Sequence, residues 1–181
     1  MKNGALLVID IQKDFTLPSG RLPVESSQAE QIISNINRII GSKEADGLLP
    51  LYIGNEFRKC DPLNLFRNFC ALQGSEGSKL DPRLKIVNSH YFAKQRGNAF
   101  SNAALASFLR SADITHVYLS GLFADACVFR TFEGARKLGL ACSVVSDAIA
   151  AKTAARRQKM VEKFSTLGAE IVSTEQLLRQ K

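Results

Sequence analysis

Three side chains with complementary chemistry stand where predicted strands end. Asp10 follows the apolar run at residues 5–9, Lys94 follows a third predicted strand by two residues, and Cys127 stands after a fourth strand at the predicted start of a helix. In an open parallel sheet the carboxyl ends of the strands share one edge, and ligands bind there. We therefore expect a carboxylate, an ammonium and a thiol to meet at one rim of the sheet.

Together these three groups have the chemistry of a covalent hydrolase. A thiol at a helix N-terminus lies at the positive end of the helix dipole, which lowers its pKa, and a nearby lysine lowers it further. A carboxylate can accept the thiol proton and return it to a leaving group. Cys127 is the candidate nucleophile, Asp10 the proton shuttle and Lys94 the charge stabiliser. The other cysteines lie inside a predicted strand or in an irregular region, and we interpret them as structural: Cys60, Cys70 and Cys142.

Predicted strands and helices alternate from one end of the chain to the other. Short apolar runs predict six strands, at residues 5–9, 48–53, 86–92, 114–119, 140–145 and 170–172. This alternation favours an α/β fold, a doubly wound three-layer sandwich around a mainly parallel six-stranded sheet. A chain of 181 residues is expected to form one domain, covering residues 1–181.

Capping residues predict where several helices begin. Ser27 and Glu30 have the spacing of a capping box ahead of a helix that ends near Gly41. Ser101 or Asn102 is expected to cap a helix after the third strand. Ser173 with Gln176 opens a last short helix, whereas residues 54–85 carry no clear period and predict a long irregular region.

Composition excludes some classes of protein and leaves others open. The apolar runs are far shorter than a membrane span needs, and the first residues lack a signal-peptide pattern. Reduced thiols in the cytoplasm are expected, since the four cysteines have no CxxC spacing. The net charge of +7 suits nucleic acid or anionic small substrates. The densest basic cluster, residues 152–163, is interpreted as a solvated helix face, with nucleic-acid binding as the alternative.

Other catalytic chemistries lack sequence support. His90 and His116 are the only histidines, and His116 alternates with apolar residues inside a predicted strand, so a Ser-His-Asp triad has few candidates. The sequence contains no HExxH, GxGxxG or GxxxxGK motif. We expect no metal site, no cofactor and no membrane or nucleic-acid partner, and a small molecule as substrate.

Three ordered motifs resemble the isochorismatase-like superfamily of cysteine hydrolases, which includes nicotinamidases, N-carbamoylsarcosine amidohydrolase and isochorismatases. Residues 10–15, DIQKDF, resemble the family's DxQxDF opening; Lys94 in YFAKQRGNAFSN resembles the family lysine; and residues 121–128, GLFADACV, resemble its nucleophile segment. The resemblance covers nearly the whole chain. It implies a catalytic role for Asp10, Lys94 and Cys127 and a pocket lined by Phe15.

The resemblance also implies local geometry and assembly. A cis peptide bond is expected between Leu122 and Phe123, and the backbone N–H groups of Phe123 and Cys127 are expected to form an oxyanion hole. Non-proline cis bonds are rare, so this bond is a sharp structural test. Relatives imply a homodimer or homotetramer.

Departures from the family pattern bear on the substrate. Nicotinamidases carry an Asp-x-His metal motif after the second strand, but residues 54–60, GNEFRKC, contain no histidine. The presence of Cys127 favours hydrolysis of an amide or related C–N bond, with vinyl-ether hydrolysis through Asp10 and Lys94 as an alternative. Asn55, Arg58 and Arg96 are candidate substrate contacts, and structural roles in the loops are equally compatible with their positions.

Overall fold

Six strands form one parallel sheet in the computed structural model, which describes residues 4–43 and 47–179. The order of the strands across the sheet is β3-β2-β1-β4-β5-β6, and every neighbouring pair is parallel. The chain starts in the middle and winds first to one edge and then to the other. The predicted doubly wound α/β fold is confirmed, with a sheet that is parallel throughout.

Helices and strands alternate as predicted. The strands are β1 (Gly4–Ile9), β2 (Leu48–Asn55), β3 (Tyr91–Lys94), β4 (His116–Gly121), β5 (Ala141–Ile149) and β6 (Glu170–Val172). The helices are α1 (Lys13–Thr16), α2 (Ser26–Gly41), α3 (Ala103–Ser111), α4 (Phe129–Lys137), α5 (Ala154–Thr166) and α6 (Thr174–Arg179). Short 3₁₀ turns lie at Pro62–Leu65, Glu76–Ser78 and Ala99–Ser101, and a π-helical turn lies at Ala124–Val128.

Two hydrophobic cores hold the helices against the two faces of the sheet. One core joins the isoleucine face of α2 and the apolar side of α6 to one face, and the other joins α3, α4 and α5 to the opposite face. Every residue of β1 is buried, which explains its unbroken apolar sequence. In the part of the chain described, no helix is long and apolar enough to cross a membrane.

The third strand begins five residues later than predicted. Ile86 and Val87 are about half exposed, and β3 starts only at Tyr91. The hydroxyl of Tyr52 explains the difference, because it donates to the carbonyl of Lys85 and accepts from the N–H of Val87. These bonds hold the segment outside the ladder. The strand also ends later than predicted, because Lys94 pairs with Asn55 of β2 and is its last residue, rather than lying two residues beyond it.

Two of the three predicted caps are present. The Asn102 side chain accepts from the N–H of Ala104 at 3.0 Å, and Ser173 and Gln176 bond each other's backbone N–H groups reciprocally. The capping box of Ser27 is wrong, because α2 begins two residues earlier than predicted, with Glu25 rather than Ser27 at the N-cap position, and has no side-chain cap. Ser27 therefore lies inside the first turn, past the position from which a side chain can cap.

His116, at the start of β4, lies where its protonation is disfavoured. Its Nε2 lies 2.7 Å from Ser143 Oγ, and its ring stacks on Tyr118 at 4.4 Å. Burial lowers the pKa of His116, which the charge of Glu170 only partly offsets. Below the ordinary histidine pKa of about 6.5 the unfolded chain takes up a proton that the folded chain resists, so stability falls.

We therefore expect the melting temperature of the wild type to drop more steeply between pH 7 and pH 5 than that of His116→Gln. Thermal unfolding followed by circular dichroism at half-unit pH steps measures both curves. Parallel curves across this range would contradict the assignment.

Candidate active site

Asp10 leaves the end of β1 in an unusual backbone conformation. Its φ is +56°, in the left-handed region that residues with a side chain seldom adopt, and its carboxyl group is buried. The N–H of Asp10 donates to Ile53 O at 2.8 Å, and its carbonyl accepts from the N–H of Gln12 at 2.8 Å. Such conformations concentrate at functional sites, where neighbouring structure holds them in place.

Lys94 and Asn55 complete a buried polar network around Asp10. Lys94 Nζ donates to Asp10 Oδ2 at 2.9 Å and to Asn55 Oδ1 at 2.7 Å. Asn55 Nδ2 donates to the same Asp10 oxygen at 2.8 Å. The two charged side chains are 0% and 1% exposed, so solvent does not screen their attraction. Asn55 and Lys94 lie side by side because β2 pairs in parallel with β3 and the two residues are register partners.

Cys127 lies against this network from the other side. It stands in the π-helical turn Ala124–Val128, which precedes α4, and Asn55 Nδ2 lies 3.8 Å from its Sγ. The sequence predicted instead that an α-helix starts at Cys127. The structure thus brings Asp10, Lys94 and Cys127 together at one rim of the sheet.

Burial is the main reason that the pKa of the Cys127 thiol is raised. The Asp10 carboxylate raises it further against the opposing effect of Lys94, so the pKa reaches about 11. The prediction of a lowered pKa is therefore wrong, because desolvation and a carboxylate outweigh the lysine. Burial alone lowers the pKa of Lys94, but Asp10 and Cys127 outweigh it and raise the pKa above its ordinary value.

The turn before Cys127 has the backbone geometry that the resemblance implied. The Leu122-Phe123 peptide bond is cis, which confirms that prediction. Gly121 has a φ of +107°, and a Cβ there would collide with the carbonyl of Ile9. The carbonyl of Phe123 accepts from the N–H groups of Ala126 and Val128, at 2.9 and 3.1 Å. An oxyanion hole formed by the N–H groups of Phe123 and Cys127 stays a prediction.

Gln12 is a buried polar residue whose role the sequence did not predict. Its side-chain amide makes two hydrogen bonds with the backbone of Asn55. Gln12 Nε2 donates to the Asn55 carbonyl, and the Asn55 N–H donates to Gln12 Oε1, both at 2.8 Å. This pairing fixes the strand end that carries Asn55 against Asp10. Its place in the DIQKDF motif, two residues after Asp10, was the available signal.

The remaining predicted contacts lie at different distances from the triad. Phe15 is buried and packs edge-on against Phe123, with ring centroids 5.8 Å apart. Asn55 contacts all three triad side chains. Arg58 and Arg96 are exposed and line two cavities, of which one also borders Lys94 and neither is lined by Asp10 or Cys127. Substrate contact by these residues stays a prediction.

Several basic side chains of helix α5, the alternative nucleic-acid surface, contact other residues of the protein. Arg156 pairs with Asp125 in the π-helical turn Ala124–Val128, and Arg157 donates to Gln31 Oε1 at 3.1 Å. Lys163 lies over the ring of Phe129, 4.1 Å from its centroid. Salt-dependent binding of DNA or RNA at low ionic strength remains the direct test of the alternative.

Comparison with known proteins shows the family to which the chain belongs. The sequence model of the Isochorismatase domain matches residues 4–176. The chain belongs to the isochorismatase family. A probable inactive nicotinamidase from Arabidopsis thaliana is 29% identical over 164 residues, which cover 84% of this isochorismatase-family chain and 83% of that protein.

Solved structures of isochorismatase-family proteins share the fold closely. An isochorismatase-like hydrolase from Alkaliphilus metalliredigens superposes with a TM-score of 0.91 at 25% identity, over 99% of this chain and 98% of that one. N-carbamoylsarcosine amidase from Thermoplasma acidophilum gives 0.83 at 25% identity, over 97% and 98%. The family thus includes hydrolases and amidases.

In this isochorismatase-family chain, the polar network predicts how a substitution of Asp10 changes the pKa of the Cys127 thiol. Because the Asp10 charge raises the pKa of Cys127, Asp10→Asn should lower that pKa below about 11. We expect iodoacetamide to label Cys127 at lower pH in the variant than in the wild type, while turnover is lost. Mass spectrometry of the labelled peptide measures the rate, with exposed Cys60 as an internal reference. If the pH midpoint of Cys127 labelling in Asp10→Asn equals or exceeds that of the wild type, the Asp10 charge does not raise the pKa of the thiol.

Proposed function

We propose that the protein is a cysteine-dependent hydrolase of a small amide or related C–N compound. The observation that carries the proposal is the contact of Asp10, Lys94, Asn55 and Cys127 in one polar network. The amidase among the structural neighbours supports the same class of reaction. Since the Arabidopsis relative is a probable inactive nicotinamidase, the activity of this chain has to be assayed directly.

In the first half-reaction the thiol proton of Cys127 passes to Asp10 as sulfur attacks the carbonyl carbon. A thiol with a pKa of about 11 needs such a base at neutral pH. Lys94 stabilises the carboxylate before transfer, and the backbone N–H groups of Phe123 and Cys127 donate to the oxyanion. The C–N bond then breaks, and the amine leaves with the proton held by Asp10.

The second half-reaction releases the acid. Asp10, now a carboxylate again, takes a proton from water as its oxygen attacks the thioester carbonyl, and the carbon–sulfur bond breaks. The proton returns to the Cys127 sulfur. One water is consumed and one amine and one acid are formed.

A substrate panel tests the proposal. Purified protein is incubated with small amides, carbamoyl compounds and isochorismate, and release of ammonia, amine or pyruvate is measured. We expect turnover of at least one C–N substrate and none by Asp10→Asn. Turnover confined to isochorismate, or none across the panel, would overturn the proposal.

A further inference from the structure

The side-chain amide of Asn55 faces both ends of the proton transfer between Cys127 and Asp10. Its Oδ1 accepts from Lys94 Nζ at 2.7 Å, and its Nδ2 lies 2.8 Å from Asp10 Oδ2 and 3.8 Å from Cys127 Sγ. Because the ammonium of Lys94 can only donate, it fixes the amide with its oxygen toward Lys94. The NH₂ group of the amide therefore points toward the carboxylate and the sulfur.

This orientation matches the charge movement of the first half-reaction. When the S–H bond of Cys127 breaks and an O–H bond forms on Asp10, one negative charge moves from the carboxylate to the sulfur. The amide nitrogen of Asn55 carries two hydrogens, so it can donate to Asp10 before the transfer and to the thiolate after it. Burial and the Asp10 charge raise the pKa of Cys127, whereas the hydrogen bond from Asn55 lowers it.

Gln12 holds the backbone of Asn55 in place. The Gln12 side chain is buried, makes both hydrogen bonds with the Asn55 backbone, and donates from Nε2 to the carbonyl of Ser78 at 2.5 Å. Gly54 leaves room for this side chain, because a Cβ at that position would lie 3.0 Å from Gln12 Nε2. A supporting residue that fixes its neighbour in this way keeps a reactive group at its working distance.

We propose that Asn55 is a fourth catalytic residue, which donates a hydrogen bond to the Cys127 thiolate as it forms, and that Gln12 is its positioning residue. The proposal rests on the proposed hydrolase function and adds a group that stabilises the nucleophile. A hydrogen bond to a charged group changes the equilibrium that it favours by roughly ten- to a hundredfold. Because Asn55 acts on the thiolate and not on bound substrate, its loss lowers kcat and leaves KM nearly unchanged.

The Asp10→Asn protein gives a direct test, because the carboxylate is removed and the thiolate becomes the charge that Asn55 stabilises. In this background we expect Asn55→Ala to raise the pH midpoint of iodoacetamide labelling of Cys127 by roughly one to two units. Gln12→Met should raise the midpoint by less. Gln12→Met together with Asn55→Ala should raise it no more than Asn55→Ala alone, since Gln12 acts through Asn55. Mass spectrometry of the labelled peptide measures each midpoint.

Asn88→Ala in the same background is the matched control. The Asn88 side chain also bonds the backbone of β2, donating to Pro50 O at 3.0 Å, and its oxygen accepts from the N–H of His90. Its loss should leave the midpoint in place. Asn55→Ser is used if circular dichroism shows that Asn55→Ala does not fold, because the shorter hydroxyl side chain cannot reach all three partners.

An unchanged or lower midpoint in the Asn55 variants, or an equal rise in Asn88→Ala, would overturn the catalytic role of Asn55. Additive effects of the Gln12 and Asn55 substitutions would overturn the positioning role of Gln12.

Turnover separates this proposal from the hydrolase proposal. With Asp10 intact, Asn55→Ala should lower kcat on a C–N substrate by roughly ten- to a hundredfold and leave KM within about twofold. A higher KM with an unchanged kcat would overturn the proposal and assign Asn55 to substrate binding. If the wild type turns over no substrate, the hydrolase proposal fails, and the labelling midpoints still decide whether Asn55 stabilises the thiolate.

Discussion

Cys127→Ala is expected to reduce turnover of any C–N substrate by about 10⁴-fold or more, because loss of a nucleophile removes the covalent route entirely. The fold should persist, since a half-buried cysteine is replaced by a smaller residue and the network among Asp10, Asn55 and Lys94 keeps its own hydrogen bonds. Steady-state assays and urea unfolding measure the two effects.

Cys142→Ala is the matched control, since Cys142 is also half-buried but lies inside β5. It should retain most of the activity. Full activity of Cys127→Ala on isochorismate would favour the alternative in which Asp10 and Lys94 cleave a vinyl ether and the thiol is a bystander. Undiminished activity on an amide would refute the covalent mechanism.

Lys94→Met is expected to have the largest effect on stability. Removal of one partner of a buried ion pair leaves the other charge uncompensated, at a cost of about 3–5 kcal/mol. Here Asp10 would keep only the Asn55 amide, since its Oδ1 is buried and accepts no hydrogen bond from the described residues. Urea unfolding gives the loss of unfolding free energy, and turnover should disappear with it.

The double variant Asp10→Asn, Lys94→Met separates charge from packing. With no buried charge left, about half or more of the lost stability should return, although activity should not. Lys79→Met is the surface control, because the pair of Lys79 with Glu76 is more than half exposed and such pairs contribute about 0–1 kcal/mol. A double variant no more stable than Lys94→Met alone would show that the charge of Asp10 is not the cause.

The sequence predicted most of the architecture because strand and helix periods are local properties. The apolar run of β1, the isoleucine spacing of α2 and the reciprocal cap of Ser173 and Gln176 each depend on a few neighbouring residues. The start of β3 was wrong for a reason outside its own segment. The hydroxyl of Tyr52, more than thirty residues earlier in the chain, holds residues 85–87 away from the ladder.

The sequence by itself determined the reactive groups and the rim they occupy, since a residue at the end of a parallel strand must lie at the carboxyl edge of the sheet. Only the tertiary structure decided their electrostatics. The thiol pKa depends on the burial of Cys127 and on its distance from Asp10 and Lys94, and local sequence encodes neither quantity. The same holds for the Asn55 amide that links all three groups, because its contacts exist only once β2, β3 and the ends of β1 and β4 are assembled side by side.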